Sequence, residues 1–167
     1  YKYNSMHRVF LGIGGNIGNK HDNFIKAEKL IYSRLGQIVQ KSSVYETPPW
    51  GFRAEENFWN AVFVIETKFG PDEVLWRIHE IEDHFEKEKN DERYRSREID
   101  IDILYYDDLF TETKLLIIPH PHIPNRKFVL VPLAEIAPEF RHPLLRLTSL
   151  QLLENCKDES IIKKIEF

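Results

Sequence analysis

The chain has 167 residues, of which 42% are hydrophobic and 13% aromatic, so it can bury a core and is not expected to be disordered. This length fits one domain, predicted over residues 1–167, and residues 1–5, which precede the only methionine, are either a tag remnant or a native extension. The formal net charge of −4 argues against a nucleic-acid partner, and the single cysteine excludes an internal disulfide framework.

The first part of the chain alternates short apolar segments with one amphipathic segment. Residues 8–13 are predicted as a strand that ends at two glycines, and residues 19–35 carry apolar side chains at helical spacing before Gly36. Residues 37–47 alternate as a strand does and stop at two prolines, which cannot donate to a ladder. The pattern therefore predicts β-α-β, followed by an irregular loop over residues 48–57.

The middle of the chain contains two further strands and a helix. Residues 58–69 form a predicted strand that is apolar on both faces, and a helix begins at Pro71 and extends to Phe85. Residues 86–96 are charged and lack an apolar period, which predicts a loop. Residues 98–106 are predicted as the next strand.

The order β-α-β-β-α-β is the signature of a ferredoxin-like α+β fold. In that fold an antiparallel sheet carries its helices on one face. A short apolar segment over residues 115–118 and a short helix over residues 128–136 follow the predicted core. We expect both to belong to a C-terminal extension of the fold.

The segment RYRSREIDIDIL, residues 93–104, places carboxylates on one face of a predicted strand. Because side chains at i and i+2 point the same way, Asp100 and Asp102 project together while the intervening isoleucines face the core. A half-buried strand with a solvated acidic face explains such a pair about as well as a ligand site does. Aspartate is a poor strand former, however, and arginines precede the pair, which favours a site.

Magnesium would explain why acids and arginines stand together. It prefers carboxylate and phosphate oxygens, and two carboxylates on one face can hold a pair of Mg²⁺ ions that bridge the phosphates of a nucleotide. Arg93, Arg95 and Arg97 would then bind phosphate oxygens through paired hydrogen bonds. The segment therefore predicts a metal-assisted nucleotide site.

A planar ligand is predicted beside the strand that begins at Phe58. Phe58 and Asn60 share one face, where an aromatic ring can stack on a heterocycle and an amide can pair with its edge. Core packing is the better explanation for Phe58 taken alone. An asparagine among apolar neighbours needs a hydrogen-bond partner if it is buried, which makes Asn60 the stronger indication.

Two other motifs are weaker. The segment GIGGNIG, residues 12–18, departs from the dinucleotide fingerprint at Ile17 and does not fit a P-loop, so we interpret it as a strand-to-helix turn. His120 and His122 lie two residues apart with no third ligand at recognisable spacing. A polar contact of His120 with phosphate is therefore favoured over a zinc site.

Together these residues resemble the 6-hydroxymethyl-7,8-dihydropterin pyrophosphokinase family. The resemblance spans about residues 9–138 and lies in four ordered segments, which are GGN at 14–16, YETPPWG at 45–51 with FWNAV at 58–62, RYRSREIDIDIL at 93–104, and PHPHIPNRKFVLVPLAEIAP at 119–138. It implies a ferredoxin-like fold. It also implies transfer of pyrophosphate from ATP to the pterin's hydroxymethyl group, with release of AMP, in folate biosynthesis.

The resemblance further implies a role for each matching position. Asp100 and Asp102 would bind two Mg²⁺ ions and, with Arg93 and Arg97, would form the catalytic set. The pterin ring would lie between Phe58 and Phe128, and its edge would be read by Asn60, Asp100 and the segment that includes Thr47, Pro48 and Trp50. The positions that match the ATP-binding side are Glu82, Lys89, Arg93, Tyr94, Arg97, Ile103, His120 and Arg126.

Two other functions would use part of the same residues. A Mg²⁺-dependent nuclease or nucleotidyltransferase would use the acids and arginines but leave Phe58, Asn60 and Phe128 without a role. A non-catalytic ferredoxin-like RNA-binding module would stack bases on aromatic side chains, and the charge of −4 argues against it. No segment approaches the ~20 apolar residues of a membrane span, and the single cysteine fits a reducing cytosol, so we expect a cytoplasmic protein. Because no second apolar surface motif indicates a dimer, we expect a monomer with small-molecule partners only.

Overall fold

The computed structural model describes residues 5–48, 57–85 and 98–166. Its strands are β1 (His7–Gly15), β2 (Gln37–Lys41), β3 (Val44–Thr47), β4 (Phe58–Thr67), β5 (Asp100–Tyr106), β6 (Thr111–Glu112), β7 (Ile117–Ile118) and β8 (Lys163–Ile165). Its helices are α1 (Lys20–Arg34), α2 (Pro71–Glu82), α3 (Lys127–Ile136) and α4 (Ser149–Asn155), with a 3₁₀ turn (Ile123–Asn125) before α3. Within these ranges no helix has both the length and the apolarity needed to cross a membrane.

Antiparallel pairing arranges the main sheet in the order β5-β1-β4-β3-β8, and β2 also pairs with β4. The single strand predicted over residues 37–47 is therefore two strands. The pairing of β2 with β4 shifts register between Ile38 and Gln40, and Ser42 Oγ accepts a hydrogen bond from the Val62 amide at 2.8 Å where the strand is interrupted. Beyond this break, β3 pairs along the start of β4.

One side of the sheet, termed the first face, is covered by α1 and α2. Both helices present an apolar stripe to the strands, and the core between them is closely packed. The residues on this face include Leu11, Ile13, Phe24, Ile31, Phe63, Ile65, Val74, Ile78, Ile101 and Ile103. The alternation along β1, β4 and β5 thus places every second side chain in this core.

The opposite side of the sheet, termed the second face, is covered by α3 and α4. The predicted core has its helices on one face, and α1 and α2 do lie on one face. The later helices α3 and α4 cover the other face as well, because β4 is apolar on both faces and Val62 and Val64 require cover here. A bulge at Leu104 extends the apolar surface, since Phe10 pairs with Tyr105 while Leu11 pairs with Ile103. The fold is a mixed α/β arrangement in which an antiparallel sheet lies between helices.

A buried histidine stabilises the loop between α3 and α4. His142 is 4% exposed, and its Nδ1 accepts hydrogen bonds from the amides of Leu144 at 3.2 Å and Leu145 at 3.1 Å. Burial lowers the pKa of His142 below its ordinary value. The ring is therefore neutral in the folded protein at neutral pH, and its unprotonated Nδ1 accepts both hydrogen bonds.

We expect the folded protein to lose stability on mild acidification, in part through His142. Because the folded-state pKa is depressed, the unfolded chain binds the proton more readily, so stability is present above pH 6.5 and decreases as the pH falls below it. The variant His142→Asn keeps an acceptor near Nδ1 but does not titrate, so its free energy of unfolding should vary less between pH 7.5 and about pH 5.

Urea unfolding across this pH range measures the difference. The variant should retain some pH dependence, because burial also lowers the pKa of His120, which contributes with the same sign. Replacement of the exposed His79 by Asn serves as the control and should follow the wild-type curve. A His142→Asn curve parallel to that of the wild type would contradict the assignment.

Candidate active site

The second face contains a cleft of about 550 Å³ between the ends of the strands and the start of α3. Four strands, the turn before α3 and one residue of the C-terminal segment contribute to it. Its lining comprises Gly12, Ile13, Gly14, Gly15, Thr47, Pro48, Phe58, Asn60, Ala61, Val62, Asp100, Asp102, Leu104, His122, Asn125, Arg126, Phe128, Val129 and Asp158.

Asp100 and Asp102 both line this cleft, whereas the isoleucines that alternate with them are buried in the core. The alternation predicted for the acidic strand is confirmed. Asp100 pairs with Gly14 and Asp102 pairs with Gly12 on the neighbouring β1. Because glycine has no side chain, β1 places no side chain of its own beside either carboxylate, and the Asp102 side chain is 42% exposed. Both acids can therefore contact a ligand in the cleft.

The chemistry of this pair fits a hard divalent cation. Carboxylate oxygens suit Mg²⁺, which usually keeps several waters and takes further oxygens from substrate phosphates. Across the described ranges, no group of three or more His, Cys, Asp or Glu side chains could hold a metal ion. An ion at Asp100 and Asp102 would thus complete its coordination with water and substrate.

Asn60 is aligned with the acidic strand through the sheet. Gly14 pairs with Asp100 on one side and with Asn60 on the other, and Tyr45 pairs with Asn60 beyond it. A Cβ added at Gly14 would lie 2.6 Å from Asn60 Oδ1, so the absence of a side chain at this position allows the Asn60 amide to cross the strand. The glycine thus fixes where the amide group is presented to the cleft.

We expect Gly14→Ala to weaken binding of a ligand that uses Asn60. The new methyl group would displace the amide, and the loss of its hydrogen bonds should raise the dissociation constant about tenfold. The melting temperature should change little, because the displaced atom is the end of a side chain. Titration with the pterin checks this, with Gly70→Ala as control because a Cβ there meets nothing within 4 Å. Unchanged pterin affinity would contradict the role given to Gly14.

Thr47 contributes a buried hydroxyl to the same wall. Thr47 is 2% exposed and pairs with Phe58, and its Oγ1 has no hydrogen-bond partner among the described residues. A buried polar atom usually has such a partner. Because Thr47 lines the cleft, a ligand can supply it. The sequence indicated the main chain around Thr47, and the hydroxyl was not foreseen.

The opposite wall is formed by the turn before α3 and its first residues. Phe128 and Arg126 both line the cleft, and the Arg126 guanidinium lies 5.6 Å from the centroid of the Phe128 ring. Phe58 lies on the sheet side of the same cleft. His122 and Asn125 also line it, although the sequence did not single them out for this role.

His120 lies close to the acidic pair. Its Nε2 is 3.9 Å from Asp102 Oδ2, and its Nδ1 accepts a hydrogen bond from the His122 amide at 3.1 Å. Burial, together with the charges of Arg126 and His122, lowers the pKa of His120 to about 4, although Asp100 acts in the opposite direction. With Nδ1 occupied as an acceptor, the neutral ring carries its hydrogen on Nε2 and can donate it to an anionic oxygen.

Three residues that match the ATP-binding side, His120, Glu82 and Ile103, are not among the residues that line the cleft. Glu82, at the end of α2, accepts a hydrogen bond from the Ile101 amide at 2.8 Å and so supports β5 between the two acids. Ile103 is 4% exposed and packs in the core on the first face, so its side chain does not reach the cleft. The remaining predicted residues lie outside the described residues, and they are Trp50, Lys89, Arg93, Tyr94, Arg95 and Arg97.

Comparison with known proteins identifies the family. A family model described as 7,8-dihydro-6-hydroxymethylpterin-pyrophosphokinase matches residues 10–138, which is most of the chain. The chain belongs to this family. The matched range includes both carboxylates, both cleft walls and the turn before α3. As a pyrophosphokinase, the protein is an ATP-dependent enzyme of folate synthesis that transfers a pyrophosphoryl group to hydroxymethyldihydropterin.

Relatives of this pyrophosphokinase differ in length. The present chain is 38% identical over 158 residues to the 2-amino-4-hydroxy-6-hydroxymethyldihydropteridine pyrophosphokinase of Aquifex aeolicus, and the match covers 95% of both chains. It is 35% identical to a folic acid synthesis protein of Dictyostelium discoideum but spans only 24% of that protein. The crystal structure of wild-type Plasmodium falciparum HPPK-DHPS with pteroate matches with a TM-score of 0.73 at 18% identity, over 92% of this chain and 43% of that chain. This last likeness concerns the fold alone.

Proposed function

We propose that the cleft on the second face is the site of pyrophosphoryl transfer, and that Asp100, Asp102, Asn60, Thr47, Phe58 and Phe128 carry it. The observation that supports this is their convergence in one cavity, which has an acidic side, a polar edge and two aromatic walls. A nuclease or nucleotidyltransferase would need only the acidic side. The aromatic rings and the amide favour a planar substrate beside the metal site.

We assign the metal site to Asp100 and Asp102, with two Mg²⁺ ions as the expected number. When bound, such ions would neutralise phosphate charge and hold the triphosphate in place. The two carboxylates would hold these ions on the β5 face that the cleft exposes, beside the site proposed for the pterin. Asp100, which is aligned with Asn60 across Gly14, would also contact the pterin.

The pterin would lie between Phe58 and Phe128. Its ring faces would stack on the two phenyl rings, and its edge would exchange hydrogen bonds with the Asn60 amide and the Thr47 hydroxyl. The buried Oγ1 of Thr47 supports this, because a bound heterocycle would supply the partner that it lacks among the described residues. Pro48 would complete this side of the cleft.

ATP would occupy the side of the cleft near His120 and Arg126. The Nε2 hydrogen of His120 and the guanidinium of Arg126 are donors suited to phosphate oxygens. Arg93, Arg97, Lys89 and Tyr94 remain predictions for this side, as do Glu82 and Ile103. For Ile103 the main chain is the group proposed to contact ATP, because its side chain is in the core.

Placement of the hydroxymethyl oxygen in line with the β-phosphorus is the main catalytic requirement. Reactions of this type depend on positioning and on neutralising charge in the transition state. The hydroxyl oxygen attacks the β-phosphorus, and the bond from that phosphorus to the α,β-bridging oxygen breaks. AMP leaves with the bridging oxygen, and the hydroxyl proton is lost to solvent. No side chain is assigned as general base.

The formation of AMP tests this proposal. Incubation with ATP, Mg²⁺ and 6-hydroxymethyl-7,8-dihydropterin should give AMP in equal amount to the pterin diphosphate, and AMP should not form when the pterin is omitted. Chelation of the divalent ion should stop the reaction, and readdition of Mg²⁺ should restore it. Release of ADP, or AMP formation without pterin, would overturn the proposal.

We further infer a ferredoxin-like core and a cytoplasmic monomer that binds small molecules and no nucleic acid. The antiparallel strand order β5-β1-β4-β3 supports the first, since it corresponds to the order 4-1-3-2 of the six-element motif. Sedimentation of the purified chain tests the second. A stable dimer at the concentrations used for the assay would contradict it.

A further inference from the structure

A segment near the C-terminus joins the two walls of the cleft. Residues 156–162 connect α4 to β8, and they lie beyond residues 10–138, the range matched by the family. β8 pairs with β3, the strand that ends at Thr47. Asp158, within this segment, lines the cleft near the start of α3. The segment thus extends from the α3 wall to the sheet wall.

The carboxylate of Asp158 ties this segment to α3. Its Oδ2 accepts a hydrogen bond from the Lys127 amide at 3.1 Å, and its Oδ1 accepts from the Ser160 amide at 2.9 Å and the Ser160 hydroxyl at 2.5 Å. In return, the Lys127 ammonium donates to the Ser160 carbonyl at 3.1 Å. These contacts connect residues more than 30 positions apart, so they form only when the segment is folded against α3.

The start of α3 depends on this contact. Arg126 is the N-cap residue, and its side chain makes no capping hydrogen bond within the described part of the chain. Asp158 supplies an acceptor to the first amide of the helix and places a negative charge at its positive end. Arg126 and Phe128, which flank Lys127, both line the cleft.

The ionisation of Asp158 is consistent with this arrangement. Burial alone would raise the pKa of Asp158, but the hydrogen bonds from Ser160 and the Lys127 amide, together with the Lys127 charge, lower it below its ordinary value. The side chain is therefore a carboxylate at neutral pH. Both of its oxygens act as acceptors.

We propose that Asp158 is a positioning residue for the pyrophosphoryl transfer, and that it fixes the first turn of α3 so that Phe128 and Arg126 face their substrates. This inference rests on the proposed function of the cleft. Asp158 need not touch the reacting atoms. It holds the aromatic wall at the correct distance from the sheet, and loss of its contacts would let that wall move.

The variant Asp158→Asn tests the proposal. An amide can accept through only one of its two terminal atoms, so its NH₂ group would face a donor and one contact would be lost. Pterin binding is measured by quenching of pterin fluorescence, at saturating Mg²⁺ and an ATP analogue with an α,β-methylene bridge. The dissociation constant should rise about tenfold, and the quenching at saturation should decrease because the ring stacks less well.

Glu159→Gln is the matched control, because it removes one negative charge from an exposed neighbouring residue. It should keep the wild-type pterin affinity. Ser160→Ala removes one donor to Asp158 and should raise the dissociation constant about threefold. This milder variant decides the question if Asp158→Asn does not fold, since an unchanged affinity would then overturn the proposal.

The outcomes separate this inference from the function on which it rests. Pterin-dependent AMP formation by the wild type, with equal pterin affinity in Asp158→Asn and Glu159→Gln, would overturn the role of Asp158 and leave the function intact. A fall in melting temperature without any change in pterin affinity or quenching would also overturn it, because a purely structural contact predicts that result. No AMP from the wild type would overturn both.

Discussion

Asp102→Asn is expected to reduce turnover by a factor on the order of 10²–10³, because it removes the charge of one of the two proposed metal ligands while keeping the size of the side chain. Asp102 projects into the cleft, and its side chain is 42% exposed, so the substitution should not disturb the core. The measurement is the rate of AMP formation at saturating ATP and pterin, repeated over a range of Mg²⁺ concentrations. The Mg²⁺ needed for half-maximal rate should also rise.

The control for this variant is Asp108→Asn, which removes the same charge from an exposed residue just beyond β5. It should have the wild-type rate. If Asp102→Asn also retained a near-normal rate at low Mg²⁺, the metal assignment would be wrong. The proposed pterin site would then have no assigned phosphate-binding site next to it.

Phe128→Ala is expected to weaken pterin binding by about 1–3 kcal/mol, the contribution that stacking of a base on an aromatic side chain makes in other proteins. Phe128 lines the cleft at the start of α3, so the loss concerns the ring that would cover one face of the pterin. Pterin titration by fluorescence, in the presence of the ATP analogue, measures the change. Turnover at saturating pterin should fall less than the affinity does.

Two further variants make this result specific. Phe128→Leu keeps apolar volume but not a flat ring, so it should recover only part of the affinity if stacking is the cause. Phe110→Ala removes a phenylalanine that is 54% exposed and should have no effect. Equal affinities of Phe128→Leu and the wild type would argue that burial alone, and not stacking, accounts for the contribution of Phe128.

The parts of the site that the sequence predicted well depend on short-range geometry. The alternation of acids and isoleucines in β5 follows from the two-residue period of a strand, and the structure has the same alternation. Phe58 and Asn60 share a face for the same reason, and both line the cleft. A local rule is enough to decide which of these side chains lie together.

The parts that were not predicted depend on pairing between distant segments. The alignment of Asp100, Gly14 and Asn60 requires the register of three strands, which a bulge at Leu104 modifies further along. The contact of Asp158 with Lys127 spans 31 positions and has no local signal. Strand β8 is short and mostly exposed, so it lacks the apolar alternation by which a strand is recognised.

The side on which the later helices pack was also beyond the sequence. The order of elements indicates which strands and helices are present, but the sheet predicted from it had helices on one face only, although residues 58–69 are apolar on both faces. Nothing in the order specifies that α3 crosses the second face, where Tyr45 and Ser43 donate to Glu135. Those hydrogen bonds join Ser43 and the adjoining strand β3 to the end of α3, and they are a property of the folded chain.

The hydrogen bond between Glu82 and the Ile101 amide also affects the tendency of the protein to aggregate at high concentration. Among the strands of the described residues, β5 is the outermost on its side of the sheet, and the outward N–H groups of such a strand can template association with another polypeptide. The Glu82 carboxylate accepts a hydrogen bond from one of these N–H groups and places a negative charge at the edge of the sheet. Both effects disfavour pairing of β5 with a strand of another molecule. This hydrogen bond therefore helps to protect β5, which carries Asp100 and Asp102, from aggregation along its outer edge.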